Sequence, residues 1–201
     1  MPRLKSSFTL DLIEAGCDEV GRGCLAGPVV AAAVILPKKY RNKKLNDSKQ
    51  LNKEARLEAR ESILKDALAW AVAEVSHEEI DEINILNASF KAMHLALDQL
   101  ITVPQLLLID GNRFKPYREV PFECVIKGDG IYLSIAAASI LAKTYRDELM
   151  EKLSVQYPGY SWETNVGYPT EQHRDGIKKL GITPFHRRSF QLLPSQLEIF
   201  E

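Results

Sequence analysis

Cysteine is scarce, and no two cysteines have a metal-binding spacing. Cys17, Cys24 and Cys124 are the only three, and an odd number cannot all pair within one chain. No C-x-x-C pair occurs. These features argue against a disulfide-stabilised secreted domain and predict a protein of the reducing cytoplasm.

Long apolar runs are also missing. The most apolar stretch, residues 27–37, is far shorter than the roughly 20 residues that cross a membrane. The N-terminal residues lack an unbroken apolar segment followed by a cleavage site, so no secretory signal is predicted. We expect a globular protein with no membrane partner.

No large excess of either charge is present, since the formal net charge is −1. The charges are nevertheless unevenly distributed. Residues 38–60 contain nine Lys or Arg and three acids, whereas residues 61–98 contain two basic and eight acidic residues. A basic surface facing phosphates would produce this split. A solvated helix and loop would produce it equally well, and both interpretations stay open.

The segments that are present predict a mixed α/β sheet. Apolar, β-branched runs predict strands over residues 13–19, 28–36, 68–75, 105–110 and 122–127, and helices are predicted over 52–65, 87–101 and 133–156. The first two strands are joined by a short glycine loop, as in an antiparallel pair, and later strands follow helices. We expect one α/β domain over residues 1–155. Residues 156–201, interrupted by Pro158, Pro169, Pro184 and Pro194, should form a small helical appendage packed on it.

Four carboxylates stand at the ends of strand-like segments. Asp18 and Glu19 end the first, Asp110 ends the fourth, and Asp129 follows the fifth. In a regular strand Asp18 and Glu19 would point to opposite faces, so both can serve one site only if the backbone becomes irregular there. Gly21 and Gly23 would permit that.

Carboxylates gathered at one end of a sheet repel one another unless cations neutralise them. Oxygen ligands of this kind suit Mg²⁺ or Mn²⁺, and two such ions can hydrolyse a phosphodiester. Any one acid could be an ordinary surface residue, but four in this setting predict a metal site. The neighbouring Gly21-Arg22-Gly23 could lie against a ligand and hold a phosphate through Arg22, or it could simply make a tight turn.

The order of several sequence blocks resembles one family, ribonuclease HII, the bacterial type 2 ribonucleases H. The similar blocks are DEVGRG at 18–23, AGPVV at 26–30, LNDSK at 45–49, IDGN at 109–112, KGD at 127–129, SIAAASILAK at 134–143, YRD at 145–147, GYPT at 167–170, His173 and HRRSF at 186–190. They extend over nearly the whole chain.

The resemblance implies a ribonuclease H-like five-stranded sheet flanked by helices. It also implies an endonuclease that cuts the RNA strand of RNA–DNA hybrids and single ribonucleotides in duplex DNA, leaving 3′-hydroxyl and 5′-phosphate ends. Asp18, Glu19, Asp110 and Asp129 would be the catalytic ligands of Mn²⁺ or Mg²⁺. The substrate-binding residues would be Gly21, Arg22 and Gly23 at the ribose 2′-hydroxyl, Tyr168 at the following sugar, and Lys49 and Lys143 at phosphates.

One position departs from the family pattern. Two places after Asp129 the family usually has Lys or Arg, and this chain has Ile131, so a phosphate contact is missing or is made by Lys127 or Lys143. Type III ribonucleases H usually carry Gly-Lys-Gly and an extra N-terminal domain, so Arg22 argues against that type.

Two other function classes stay open. One is a carboxylate-metal nuclease or transposase of similar fold that cuts DNA. The other is a non-catalytic hybrid-binding protein.

The C-terminal residues suggest a partner. Gln196, Leu197, Ile199 and Phe200 resemble the short peptide with which bacterial repair proteins bind the sliding clamp, in which apolar anchors fill a groove. The alternative is that these residues cover the protein's own core.

Overall fold

The computed structural model describes residues 4–42, 45 and 51–194. Within them, five strands form one sheet in the order β3-β2-β1-β4-β5. The antiparallel pairs are β1–β2 and β2–β3, and the parallel pairs are β1–β4 and β4–β5. The strands are β1 Glu14–Val20, β2 Val29–Ile35, β3 Ala69–Val75, β4 Leu106–Asp110 and β5 Phe122–Val125. The predicted mixed five-stranded sheet is therefore confirmed, with strand ends within two residues of the prediction.

Six α-helices accompany the sheet in the described part of the chain. They are α1 Lys53–Asp66, α2 His77–Ile83, α3 Ile85–Asp98, α4 Leu133–Gln156, α5 Trp162–Asn165 and α6 Glu171–Leu180. The side chain of Asn52 caps α1, because it accepts a hydrogen bond from the Ala55 amide. Helix α2 was not predicted. No helix among the described residues is long and apolar enough to span a membrane.

The two faces of the sheet pack against different helices. On one face, alternate residues of β1 and β2, such as Ala15, Cys17 and Ala31, pack against buried residues of α3. On the other face, Val30, Ala32 and Val34 pack against α4 and α1. The alternation places even-numbered residues of β1 towards α4 and odd-numbered ones towards α3.

Helix α4 lies very close to β1 because Gly16 has no side chain. A Cβ built on Gly16 would lie 2.3 Å from the backbone carbon of Ser134. The N-terminal half of α4, Leu133 to Ala142, is buried throughout. This close approach places the middle of α4 beside the end of β1, where Asp18 lies.

The residues after α4 pack beside the β1–β2 loop. Trp162, Tyr160 and Ile177 form an apolar cluster with Leu25 and Met150. The loop is also hydrogen-bonded to this region on two sides. The Leu25 amide donates to the Gly167 carbonyl at 2.8 Å, and the Gly27 amide donates to the Phe185 carbonyl at 2.9 Å.

Candidate functional site

Three aspartates meet at one end of the sheet. Strands β1 and β4 are parallel with Cys17 opposite Ile109, so the next residues, Asp18 and Asp110, emerge side by side. Asp129 lies in a 3-10 turn, Gly128–Gly130, that follows β5. One carboxylate oxygen from each of Asp18, Asp110 and Asp129 lies within 4.8 Å of the other two, a spacing that allows all three to coordinate one ion.

The turn that carries Asp129 is fixed to the end of β4. Lys127 adopts a left-handed conformation with φ 57°, which reverses the chain after β5. The Gly128 amide then donates to Asp110 Oδ1 at 2.7 Å. Asp110 thus orients the neighbouring turn and still offers its second oxygen to a ligand.

Asp18 lies in a desolvated position with like charges nearby. Burial raises its pKa well above the ordinary range, and the carboxylates of Glu19 and Asp110 raise it further. A hydrogen bond from Ser139 of α4 opposes the shift. Within the described residues, no Lys or Arg forms an ion pair with Asp18 or Asp110. A buried carboxylate such as Asp18, which has like charges beside it, fits coordination to a divalent metal ion.

Glu19 lies on the opposite side of β1 from Asp18. The expected backbone irregularity is absent, because β1 stays paired with β2 through Asp18–Ala32, Glu19–Ala31 and Val20–Val30. Glu19 is therefore not a member of the three-aspartate group. Its Oε1 lies 3.1 Å from Arg22 Nη1. Burial raises its pKa, although Arg22 opposes the rise.

A cleft of about 280 Å³ separates α3 from this end of the sheet. Its walls include Glu19, Arg22 and Asp110, together with Phe90 of α3 and Arg113 of the loop after β4. We call it the carboxylate cleft. Glu19 and Asp110 therefore border one open space even though their strands direct them differently.

The Gly21-Arg22-Gly23 loop joins β1 to the segment before β2. Gly21 has φ +94°, and a Cβ at this position would lie 2.3 Å from Arg146 Nε, so the loop needs glycine here. Gly23 faces open space. Half of the Arg22 side chain is exposed, at 51%. The Gly23 main chain and the half-exposed guanidinium of Arg22, one nitrogen of which is paired with Glu19, thus face solvent beside the carboxylates.

Two fully buried arginines hold this loop, and sequence analysis gave them no role. Arg146 of α4 donates to the carbonyls of Ala26, Pro28 and Val166 at 2.7–3.0 Å. Arg187 donates to the carbonyls of Gly27 and Arg22, both at 3.0 Å. Both lie within the family-like blocks, which was the available signal, but sequence could not show that their partners are main-chain oxygens.

Tyr168 lies against the same loop. Its ring is 37% exposed, and its hydroxyl forms a hydrogen bond with the buried Cys24 thiol. Burial and the nearby Cys24 raise the pKa of this hydroxyl. The structure therefore brings Tyr168 beside the residue that follows Gly23, where it can present a ring face to a ligand.

Two buried histidines stand behind Tyr168. The Thr183 amide donates to His186 Nδ1 at 2.9 Å, so the proton of the neutral His186 ring is on Nε2, which donates to His173 Nε2 at 3.1 Å. Trp162 Nε1 also donates to His173 Nε2, at 2.9 Å. The His173 proton is therefore on Nδ1, which donates to the Tyr168 carbonyl at 2.9 Å.

This arrangement requires both imidazoles to be neutral. Burial lowers the pKa of His173. Burial and the neighbouring His173 lower the pKa of His186 to about 4. The two histidines thus support the Tyr168 segment and are not placed to exchange protons with a substrate.

Of the remaining predicted site residues, the structure describes only Lys143. Lys143 of α4 forms an ion pair with Asp147 at 2.7 Å, and 20% of its side chain is exposed. Lys49 lies outside the described residues, as do Gln196, Leu197, Ile199 and Phe200.

The unusual Ile131 is partly buried. Its side chain contacts an apolar cluster that includes Leu108, Tyr132 and Ile135. Its carbonyl accepts a hydrogen bond from the Lys5 amide at 2.7 Å. The hydrophobic residue therefore has a packing role at this position.

Much of the basic charge on α1 is paired with acids of α4. Lys53 lies 3.3 Å from Glu151, Arg56 lies 3.9 Å from Asp147, and Arg60 contacts Glu148. These ion pairs neutralise the α1 part of the basic stretch 38–60. They favour the interpretation of this part as a solvated helix over that of a phosphate-facing surface.

Known proteins are similar to this chain in sequence and in fold. The family model of ribonuclease HII matches residues 15–193. The ribonuclease HII of Bacteroides fragilis is 65% identical over 191 residues, which are 94% of this chain and 95% of that protein. The RNase HII in the PCNA:RNase HII complex from Archaeoglobus fulgidus superposes with TM-score 0.76 at 28% identity, over 94% of this chain and 100% of that one. The ribonuclease H2 from Pyrococcus horikoshii OT3 gives TM-score 0.74 at 28% identity, over 89% and 94%. With its carboxylate-bearing sheet and these relatives, the chain belongs to the ribonuclease HII family.

Proposed function

We propose that this ribonuclease hydrolyses the RNA strand of RNA–DNA hybrids and also cuts at single ribonucleotides embedded in duplex DNA. The observation that carries the proposal is the group of three aspartate oxygens within 4.8 Å of one another, next to the glycine-rich Gly21–Gly23 loop. The three cysteines of the protein form no disulfide, which agrees with the reducing cytoplasm that we propose as the compartment of this protein.

Asp18, Asp110 and Asp129 are the proposed metal ligands, with Mn²⁺ or Mg²⁺ as the ion. Bound divalent ions would supply activation of the attacking water and stabilisation of the departing 3′ oxygen, which gives 3′-hydroxyl and 5′-phosphate ends. The turn that holds Asp129 is oriented by Asp110 through the Gly128 amide. Glu19 is the proposed fourth ligand although β1 stays regular, because it borders the carboxylate cleft together with Asp110 and its charge acts on Asp18.

The Gly21–Gly23 loop is the proposed reader of the 2′-hydroxyl, the group that distinguishes RNA from DNA. The main chain at Gly23 can be approached closely by a sugar because this glycine has no Cβ and faces open space. Arg22 would bind a phosphate through its exposed guanidinium. Arg146 and Arg187 keep the loop in one conformation by binding carbonyls at and after it.

Tyr168 is the proposed platform for the sugar that follows the ribonucleotide. Its backbone is held by His173 and its hydroxyl by Cys24, so the ring is oriented before substrate binds. Lys143 and Lys49 are proposed phosphate contacts. Lys143 would have to exchange its pairing with Asp147 for one with the phosphate.

The test is cleavage of three matched duplexes in Mn²⁺: one with a single embedded ribonucleotide, one RNA–DNA hybrid and one of DNA alone. We expect cutting of the first two and none of the third. Cutting of the all-DNA duplex would instead indicate a DNA nuclease. Binding without any cutting would indicate a hybrid-binding protein.

A clamp partner is a second proposal. The A. fulgidus relative was solved in a complex with PCNA, and the tail residues Gln196, Leu197, Ile199 and Phe200 follow the family-matched region, which ends at residue 193. Tethering to a clamp would raise the local concentration of the enzyme at new DNA. A peptide of residues 190–201 should bind the clamp of the same cell saturably. The matched peptide with Leu197→Ala and Phe200→Ala should not, and equal binding by both peptides would refute the proposal.

A further inference from the structure

A groove continues from the carboxylate cleft along helix α3. It has a volume of about 580 Å³ and shares Phe90, Asn112 and Arg113 with the cleft. Its other walls include Asn87 of α3 and Phe114 and Lys115 of the loop after β4, and Phe122 of β5 lines it as well. We call it the Phe90 groove. Because the two spaces adjoin, a polymer lying at Asp110 can extend into the groove.

The charge of the Phe90 groove is positive. Arg113 and Lys115 are the Lys and Arg residues in its lining, and no Asp or Glu lines it. In the parts of the chain that the structure describes, neither cation forms an ion pair with a carboxylate. This differs from α1, where Lys53, Arg56 and Arg60 contact acids of α4. Arg113 and Lys115 are therefore available to an anionic ligand.

The groove also presents aromatic rings alongside these cations. Phe90 and Phe114 meet edge to face with centroids 6.1 Å apart, and Phe114 and Phe122 meet at 5.2 Å. All three rings are partly exposed. The loop that carries the two cations is anchored, because His94 Nε2 is hydrogen-bonded to the Lys115 carbonyl at 2.9 Å. The groove is thus shaped before a ligand arrives.

We propose that the Phe90 groove binds the nucleic-acid strand that flanks the scissile phosphate. Arg113, which borders both spaces, binds a backbone phosphate close to the cleft, and Lys115 binds one further along. Phe90 and Phe114 contact the sugars or bases between them. Cations combined with aromatic rings are the pairing with which proteins follow a polynucleotide backbone regardless of sequence. The inference rests on the proposed function, since it needs a polynucleotide at the cleft.

The first experiment measures the salt dependence of binding. Full-length protein is titrated with the duplex that contains one ribonucleotide, in EDTA to prevent cleavage, over a series of salt concentrations. Each phosphate contact contributes about 0.9 to the slope of log Kobs against log salt on duplex DNA. Arg113→Ala and Lys115→Ala should each reduce the slope by about that amount, and the double variant by about 1.8.

Lys65→Ala is the matched control. Lys65 is an exposed cation in the last turn of α1, which leads to the end of β3 that pairs with Ile35, away from the carboxylates. It should leave the slope unchanged. Thermal unfolding of all variants should match that of the wild type, since the three side chains are exposed. Slopes for the Arg113 and Lys115 variants equal to that of Lys65→Ala would overturn the proposal.

A second experiment shortens the flanking strand. Duplexes are trimmed on either the 5′ or the 3′ side of the ribonucleotide. Trimming one side, and only that side, should abolish the difference between wild type and the double variant. A difference that survives both truncations would mean that the two cations bind elsewhere. Failure of the proposed function looks different, because the wild type would then not cut the ribonucleotide-containing duplex in Mn²⁺.

Discussion

Asp110 connects the two sequence segments that build the metal site. It ends β4, its Oδ1 accepts the Gly128 amide, and an oxygen of Asp129 lies within 4.8 Å of one of its own. An Asn at this position can still accept that amide hydrogen bond. The substitution therefore removes a charge from the site while leaving the local backbone contacts in place.

We expect Asp110→Asn to reduce cleavage on the order of a hundredfold or more, because even residues that only orient metal ligands are worth about 10–100-fold. Hybrid binding should be retained. Single-turnover cleavage and binding are measured beside Asp98→Asn, which alters an exposed carboxylate paired with Arg118. Turnover within tenfold of wild type would remove Asp110 from the catalytic set.

Tyr168 gives a test of substrate selection. Tyr168→Ala removes the ring, and stacking platforms are worth about 1–3 kcal/mol. At the low end we expect a loss of roughly fivefold or more in cutting at an embedded ribonucleotide, with a smaller loss on long hybrids. Tyr168→Phe keeps the ring and loses only the contact with Cys24, so it should stay near wild type. Equal losses on both substrates would mean that Tyr168 does not read the junction.

At the scale of single residues, the sequence predicted the carboxylates of the site better than the arginines that hold the neighbouring loop. Asp18, Asp110 and Asp129 could be predicted because carboxylates that gather at the ends of neighbouring strands repel one another unless a cation neutralises their charge. Regular strand alternation places Glu19 on the opposite face of β1 from Asp18. The backbone irregularity that was expected to bring the two side chains to the same face is absent. Arg146 and Arg187 could not be assigned, because all of their carbonyl partners except Val166 lie more than 100 residues away in the sequence.

The β1–β2 loop permits a matched pair of substitutions. Gly21→Ala would force a Cβ against Arg146 at a φ of +94°, whereas Gly23→Ala would meet nothing within 4 Å. We expect Gly21→Ala to lower the free energy of unfolding by about 1–3 kcal/mol. Gly23→Ala should change stability by less than about 0.5 kcal/mol while still reducing cleavage, because its new methyl group faces the ligand.

Urea denaturation and cleavage rates distinguish the two effects. A stable Gly23→Ala with wild-type cleavage would show that the ligand does not approach this part of the loop. Equal stability losses for both variants would contradict the contact between Gly21 and Arg146.

At the scale of elements, strongly patterned segments were predicted and short capped ones were missed. Strands β1, β2 and β4 are largely buried runs, β3 alternates between buried and more exposed residues, and β5 is a short run rich in apolar residues. Helix α4 has the predicted bounds 133–156 because its buried alanine-rich half continues into a charged half. Helix α2 has seven residues and too little apolar periodicity. Its signal was the capping pair Ser76 and Glu79, with the Ser76 side chain accepting the Glu79 amide.

The stability of the whole molecule should depend on pH through the buried histidines. The folded-state pKa of His186 is about 4, against an ordinary 6.5, and the pKa of His173 is also lowered. The unfolded chain therefore binds protons first as the pH falls, so the stabilisation is complete above about 6.5 and is lost towards 4. His77 and Arg174 disfavour protonation further.

Between pH 7 and pH 5 we expect His186 alone to account for about 2 kcal/mol of lost stability. Urea denaturation in EDTA at both pH values measures it. His186→Asn, which can still accept the Thr183 amide through Oδ1 but does not titrate, should show a smaller loss between the two. An identical pH dependence for variant and wild type would show that His186 does not cause it.

The hydrogen bond between Arg187 and the Arg22 carbonyl joins residues 165 positions apart, so it cannot form until almost the whole chain has been synthesised. Ribosomes add about 5–20 residues per second, so Arg22 leaves the ribosome on the order of ten seconds to half a minute before Arg187. By the time β5 and Asp129 have emerged, every proposed metal ligand exists, yet the loop proposed to recognise ribose still lacks both of its arginine supports, Arg146 and Arg187. Selectivity for RNA should therefore be acquired late in synthesis, after the capacity to bind metal.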